Sequence, residues 1–226
     1  MQARELEDLN ARFEEATVEE ILLWAWTTFQ PAIGATTSFQ TQSVPLLHMI
    51  ARTIPAMPGF FIDTGFHFPE TLAFRNQLVA AWGLQIQTLS PTISHAAFLA
   101  QYGELYRFDP DRCCAINKVQ PWQQARKGLR AWISGIRRDQ TEQRRQTRII
   151  ERQSDGVYKI APLARWTRTD ICAYLDYHNL PRHPLRDQGY MSVGCAPCTQ
   201  PVGADEDERA GRWNGFTKIE CGLHTP

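Results

Sequence analysis

Short apolar runs alternate with helical stretches along most of this chain, and that alternation constrains its fold more than any other feature. Residues 32–39, 59–63, 84–89, 131–135 and 158–163 read as strands, being short, apolar and bounded by turn residues. Residues 43–53, 69–82, 117–128 and 167–178 read as helices, the second opening on Pro69 and Glu70. Strands alternating with helices imply an α/β fold, a mostly parallel sheet flanked by helices. Ligands of such sheets bind beyond the carboxyl ends of the strands, where Ser38, Asp63 and Ser134 would converge. Ahead of the first strand, apolar positions recur with helical period from about Leu6 to Phe29, and Thr17 with Glu20 forms a capping box. Past Asn179 the chain turns rich in Pro and Gly, which predicts loops and then a mobile tail. The expected organisation is a helical lead-in over 1–30, one α/β domain over 31–200 and a mobile catalytic tail over 201–226, within a 226-residue chain long enough for one buried core.

The six cysteines fall into a pattern. An adjacent pair, Cys113-Cys114, is matched by Cys195-Ala196-Pro197-Cys198, and Cys221 follows alone. Adjacent cysteines close a disulfide with each other only by straining the intervening peptide, yet both can face one polynuclear centre. Four thiolates suit tetrahedral zinc or a 4Fe-4S cluster, and zinc sites ordinarily use spaced Cys-x-x-Cys knuckles, so contiguity favours the cluster. Zinc, redox disulfides and unrelated buried thiols stay open as alternatives. Cys221, in Glu220-Cys221-Gly222-Leu223-His224, stands outside both pairs and is the candidate nucleophile. A nearby cation would stabilise its reactive thiolate; the bland alternative is an exposed thiol or a spare metal ligand. Cys172 lies in an apolar helical context and reads as a small core residue.

Lys and Arg balance Asp and Glu at 24 each, which argues against a general polyanion binder, so any anion site must be local. Ser38-Phe39-Gln40-Thr41-Gln42-Ser43 places hydroxyls and amides at a helix N-terminus, a setting that favours phosphate or sulfate, although an ordinary turn capped by Ser43 reads equally well. Asp63-Thr64-Gly65-Phe66-His67 closes a strand and could orient a nucleotide; the competing readings are a turn aspartate and a surface histidine. An aspartic-protease role would need a second Asp-Thr-Gly, and the chain has none. Arg137 and Arg138 follow the fourth strand with guanidinium forks suited to phosphate or sulfate oxygens. Arg144, Arg145, Arg148 and Arg152 read as a solvated helix face, whereas Arg209 and Arg212 could close over an anion from the tail. The acidic, helical start has no signal-peptide core, and no segment approaches membrane-spanning length. A cytoplasmic protein with reduced thiols is therefore expected.

Six segments carry a family likeness: Ser38-Phe39, Phe61-Ile62-Asp63-Thr64-Gly65-Phe66-His67-Phe68, Cys113-Cys114-Ala115-Ile116-Asn117-Lys118-Val119, Ser134-Gly135-Ile136-Arg137-Arg138-Asp139-Gln140, Glu208-Arg209-Ala210-Gly211-Arg212-Trp213 and Glu220-Cys221-Gly222-Leu223-His224. Together, from about Ala35 to His224, they resemble the adenylyl-sulfate and phosphoadenylyl-sulfate reductases of assimilatory sulfate reduction, the route to cysteine biosynthesis. The resemblance implies an adenine-nucleotide α-hydrolase-like fold related to the PP-loop pyrophosphatases. It implies one 4Fe-4S cluster per chain on Cys113, Cys114, Cys195 and Cys198, and a thiosulfonate on Cys221 that thioredoxin or glutaredoxin cleaves to release sulfite. Substrate would meet Ser38, Phe39, Asp63, Thr64, Gly65, Lys118, Arg137, Arg138, Arg209, Arg212 and His224, with Lys118 linking cluster and substrate electrostatically.

Cluster-bearing members mostly use adenylyl sulfate. Residues 38–43 depart from the acidic form of this loop and lack the glycine often found after Phe39, so the 3′-phosphorylated nucleotide and dual use stay open. A PP-loop ATP-dependent sulfurtransferase would need a Ser-Gly-Gly-x-Asp-Ser loop, which is missing here. A non-catalytic metal-binding module for nucleic acid sits poorly with zero net charge and no recognition motif. Neither nucleic acid nor membrane is expected as a partner, and self-association is left open.

Overall fold

A computed structural model describes residues 1–203 and 205–223. Its centre is one six-stranded sheet in the order β3-β2-β1-β4-β6-β5. The strands are β1 (Ile33–Thr37), β2 (Pro58–Ile62), β3 (Gln85–Leu89), β4 (Ala131–Ile133), β5 (Ile150–Arg152) and β6 (Tyr158–Ile160). All neighbouring pairs run parallel except β5 with β6. In the middle of the sheet Ala35 of β1 stands opposite Gly59 of β2 and Ile133 of β4. The inner strands are buried on both faces, as parallel sheets require, which is why their sequence is apolar rather than alternating.

Eight helices of the described residues flank the sheet: α1 (Ala3–Phe13), α2 (Val18–Phe29), α3 (Val44–Thr53), α4 (Pro69–Trp82), α5 (His95–Tyr102), α6 (Pro110–Cys114), α7 (Gln120–Ala125) and α8 (Arg168–Tyr177). The expected lead-in is two helices, because Thr17 restarts the chain. Its hydroxyl accepts from Glu20 N at 3.2 Å, while the Glu20 carboxylate accepts from Thr17 N at 2.7 Å. The stretch expected as one helix over 117–128 is composite. A π turn over Ala115–Val119 joins α6 to α7 and inserts an extra residue into the helical ladder.

The core lies on both sides of the sheet. On one side Phe13, Leu22, Leu47, Ile50 and Leu175 from the helices meet Ile33 and Ile160. On the other, Trp122 of α7 packs edge-on against Phe60 and Trp132, with ring centroids 5.7 and 5.1 Å away. Aromatic pairs of this kind bury large apolar areas and fix orientation. That packing holds α7, and with it the π turn, beside the carboxyl ends of β1 and β2.

Candidate active site

A cavity opens where the parallel strands end. Its wall takes Ser38 from beyond β1, Ile62 from β2 and Ser134 from beyond β4, and its far side is closed by Arg209, Arg212 and Cys221 of the C-terminal segment. The position is the one expected for ligands of an open α/β sheet. Ser43 gives α3 no capping bond; its hydroxyl lies 3.4 Å from that of Ser38, so both point into the same turn. Phe39, in the left-handed region at φ 53°, is fully buried and stacks edge-on with Phe61 at 5.6 Å. Its role in the turn is therefore as an anchor below the cavity.

His67 is no surface residue. Its Nε2 donates to the Ile62 carbonyl at 2.9 Å, Nδ1 is buried without a hydrogen-bond partner, and burial holds the ring below the usual histidine pKa. A neutral imidazole with a free acceptor thus lines the cavity. Asp63, Thr64 and Gly65 form the adjoining turn rather than the cavity wall. The Asp63 carboxylate accepts from Gly65 N at 3.0 Å, and the Thr64 hydroxyl lies 3.3 Å from Cys195 Sγ. An antiparallel bridge between His67 and Cys195, with Ala196 N donating to Phe66 O at 2.7 Å, ties this turn to the second cysteine pair.

Cys113, Cys114, Cys195 and Cys198 face one small cavity, together with Lys118. All six cysteines are unbridged. The π turn gives neighbouring side chains opposite duties: Asn117 reaches back, its Nδ2 3.0 Å from the Cys113 carbonyl and 3.6 Å from Cys113 Sγ, while Lys118 lines both cavities. Burial, then the neighbouring Cys114, pushes the Cys113 thiol up to about 12, and burial, then Cys195, pushes Cys198 up to about 11. Burial pulls the Lys118 pKa down, while Cys195, Cys114 and Cys221 around it pull it up and leave it above the ordinary lysine value. Among the described residues no three His, Cys, Asp or Glu side chains already stand as a ready-made site for a metal ion.

The arginines divide differently from the sequence reading. Arg138 turns away from the cavity: its forked nitrogens pair with Glu14, which caps the C-terminus of α1, at 2.9 and 2.5 Å, and Nε donates to the Thr147 carbonyl. Arg137 is fully buried beside the cavity, bonded to Asp139 at 2.9 Å and 3.5 Å from Glu208, and its Nη1 has no hydrogen-bond partner. Arg144, expected on a solvated face, is instead buried and lines the cavity. Arg209 and Arg212 do reach it. Burial, with Arg144 and Arg212 close by, lowers Arg209 to about 10. Three guanidiniums crowded in this way favour an anion among them. His224 lies outside the described residues. Sequence reasoning put Arg144 on a solvated face and gave Glu220 no role of its own, yet both line the cavity; a run of arginines gave no hint of which one turns inward.

The comparisons agree with this geometry. A family model described as phosphoadenosine phosphosulfate reductase domain matches residues 32–201. The chain is 43% identical to the adenosine 5′-phosphosulfate reductase of Streptomyces coelicolor, over 93% of this chain and 89% of that protein. It is 42% identical to the phosphoadenosine 5′-phosphosulfate reductase of Gloeobacter violaceus, over 97% of this chain and 93% of that protein. Among solved structures, phosphoadenylyl-sulfate reductase from Candida auris in a phosphate complex superposes with a TM-score of 0.79 at 31% identity, over 89% of this chain and 98% of that one. The FMN adenylyltransferase of Candida glabrata, at 18% identity and a TM-score of 0.60 over 87% of this chain and 65% of that one, shares the fold alone. A match spanning the whole sheet and relatives aligned along nearly the full chain leave one conclusion: this chain belongs to the phosphoadenosine phosphosulfate reductase family.

Proposed function

We propose that the protein reduces adenylyl sulfate, or its 3′-phosphorylated form, to sulfite, with Cys221 as nucleophile. One observation carries the reading: Cys221, outside both cysteine pairs, lines the same cavity as Lys118, Arg144, Arg209 and Arg212. A thiol needs to be a thiolate to attack, and cations around it stabilise that form. Cys221 Sγ attacks the sulfate sulfur, an S–S bond forms, and the bond from sulfur to the bridging oxygen breaks. The nucleotide leaves with that electron pair on its phosphate, and Cys221 holds a thiosulfonate. Lys118 and Arg212, which line the cavity with Cys221, would meet the charge on the sulfate and on the departing phosphate, where fixed cations act most strongly.

Turnover needs two electrons from outside, supplied by a dithiol protein of the thioredoxin or glutaredoxin class. One of its thiolates attacks Cys221 Sγ and expels sulfite with the S–S electron pair. Its second thiol then closes the disulfide and frees Cys221.

Cys113, Cys114, Cys195 and Cys198 are the residues that would hold a 4Fe-4S cluster. They supply four unbridged thiols around one cavity, with Asn117 Nδ2 donating toward Cys113 Sγ and the Thr64 hydroxyl within hydrogen-bond distance of Cys195 Sγ. When bound, such a thiolate-ligated group contributes negative charge beside Lys118. On the substrate side, residues 38–43 contain no carboxylate that would repel a 3′-phosphate. The two relatives, at nearly equal identity, are named for different nucleotides.

The test is intact and peptide mass spectrometry after anaerobic incubation with each nucleotide in parallel tubes without reductant, on protein confirmed to contain iron. A sulfonate on Cys221 is expected, and its yield in the two tubes gives the donor preference. Cys221→Ser should keep nucleotide affinity and form no sulfite. No adduct from either nucleotide, or sulfite from the serine variant, would refute the reading.

A further inference from the structure

The segment that carries Cys221 is held mainly by charge. Phe216 and Ile219 are 40% and 44% exposed, so apolar burial contributes little at these positions. Lys218 pairs with Asp111 of α6. Arg209 Nη2 donates to the Ile219 carbonyl at 2.8 Å. The Glu220 carboxylate accepts Arg144 Nε and Nη2 at 2.7 Å each, with Arg209 3.7 Å away.

This fork is the strongest of the ties. The Glu220 and Arg144 side chains are 8% and 10% exposed, so the pair is largely out of water, and a two-point guanidinium–carboxylate bond fixes orientation as well as distance. Arg144 Nη1 is taken by Gln140 Oε1, which orients the guanidinium from behind. Beyond Cys221, Gly222 adopts φ 86° and Leu223 packs on the cluster of Phe60, Trp122 and Trp132. Cys221 is thus fixed from both sides, by an ion pair before it and an apolar contact after it.

We propose that Glu220 is a positioning residue: its carboxylate, forked onto Arg144, seats Cys221 in the cavity beside Lys118. The inference rests on Cys221 being the nucleophile and adds how that nucleophile is aimed. Releasing the tail breaks the two-point fork between Glu220 and Arg144, so the fork favours the closed position before substrate arrives. Substrate anions then meet Arg212 and Lys118, whose donors are not taken by the tail in this way.

The test uses Glu220→Gln, which keeps the size of the side chain and removes its charge, in the full iron-containing protein. The first readout is iodoacetamide alkylation of Cys221 without nucleotide, followed by peptide mass spectrometry. The variant is expected to react at least about tenfold faster because the tail opens more often. The second is single-turnover sulfonation of Cys221 at saturating adenylyl sulfate or its 3′-phosphorylated form. That rate should fall by about 10- to 100-fold, the scale of a misplaced reacting group, while affinity for AMP stays within about threefold. Glu220→Asp, which keeps the charge, should recover part of both effects, and it carries both readouts against the native protein if Glu220→Gln does not fold.

Native alkylation and native sulfonation in the variants would overturn the proposal. So would tighter AMP binding with faster sulfonation, which would make Glu220 a plug in the anion site. If the native protein itself forms no adduct, the nucleophile reading fails, and the alkylation readout alone decides whether Glu220 holds the tail.

Discussion

Gly211 separates the two tail arginines, and the space around it leaves no room for a side chain. A Cβ there would lie 2.1 Å from the Gln200 carbonyl oxygen, and Gln200 N donates to the Gly211 carbonyl at 2.8 Å. Two backbone segments would have to part, and Arg209 and Arg212 would move with them. Gly194 plays the matching part across the loop: a Cβ would fall 2.2 Å from Arg212 Nη2, so the guanidinium rests directly on backbone. Gly211→Ala is expected to cost about 1–3 kcal/mol of stability through overpacking and to weaken AMP binding by about tenfold or more. Calorimetric titration with AMP checks it; native affinity in a folded variant would mean that the arginines are not placed by this contact. In the sequence both glycines look like ordinary loop residues, because nothing local records that Gln200 or Arg212 will lie against them.

At the scale of elements, what could be read from the sequence was what is locally determined. The five parallel strands and α3, α4 and α8 follow from short apolar runs, from the alternation of Gln85-Ile86-Gln87-Thr88-Leu89 at the sheet edge and from helical spacing, and Thr17–Glu20 is a self-contained cap. What stayed hidden depends on distant partners. The π turn over Ala115–Val119 has ordinary helical composition, and Arg144 and Arg138 acquire their roles from Glu220 and Glu14, 76 and 124 residues away. The strand β5 was hidden for the same reason. Its Ile150-Glu151-Arg152 has little apolar pattern, and the turn at Asp155-Gly156 was the one hairpin signal. What secures this edge is Asn10 of α1: its Nδ2 donates to the Ile150 carbonyl at 2.9 Å and its Oδ1 accepts from Ile150 N at 3.0 Å. One buried amide thus completes the outward side of an edge strand, which would otherwise offer unpaired groups. Asn10→Ala should cost about 2–3 kcal/mol, since both backbone groups of Ile150 lose a partner at a buried position. Urea unfolding with an unchanged slope and a lower midpoint is the expected result; an unchanged midpoint would show that β6 alone secures the strand.

On the scale of the whole molecule, the loops around the cavity are joined to the scaffold through His183, which is 1% exposed. Its backbone N–H donates to Thr41 Oγ1 at 3.1 Å, its Nδ1 accepts from Leu185 N at 3.2 Å, and its Nε2 lies 3.0 Å from Thr71 Oγ1 of α4. Because Nδ1 accepts, the proton of the neutral ring is on Nε2 and is donated to Thr71; a second proton would face the Leu185 N–H. Burial accordingly lowers the His183 pKa from 6.5 to about 4, with Glu70 opposing only in part. Between those two values the unfolded chain binds a proton that the folded chain refuses, so stability falls as the pH drops through that window and levels off below it. At pH 5 the loss relative to pH 7 is about 2 kcal/mol, given a free histidine near 6.5 and a folded value near 4. His183→Gln should be less stable at pH 7 yet lose most of this dependence, so the urea midpoints of the two proteins should approach each other as the pH is lowered from 7 to 5. Parallel midpoint curves would place the acid sensitivity elsewhere. Convergence would assign the acid sensitivity to this one neutral histidine, which ties the first loop and α4 to the segment leading to the second cysteine pair.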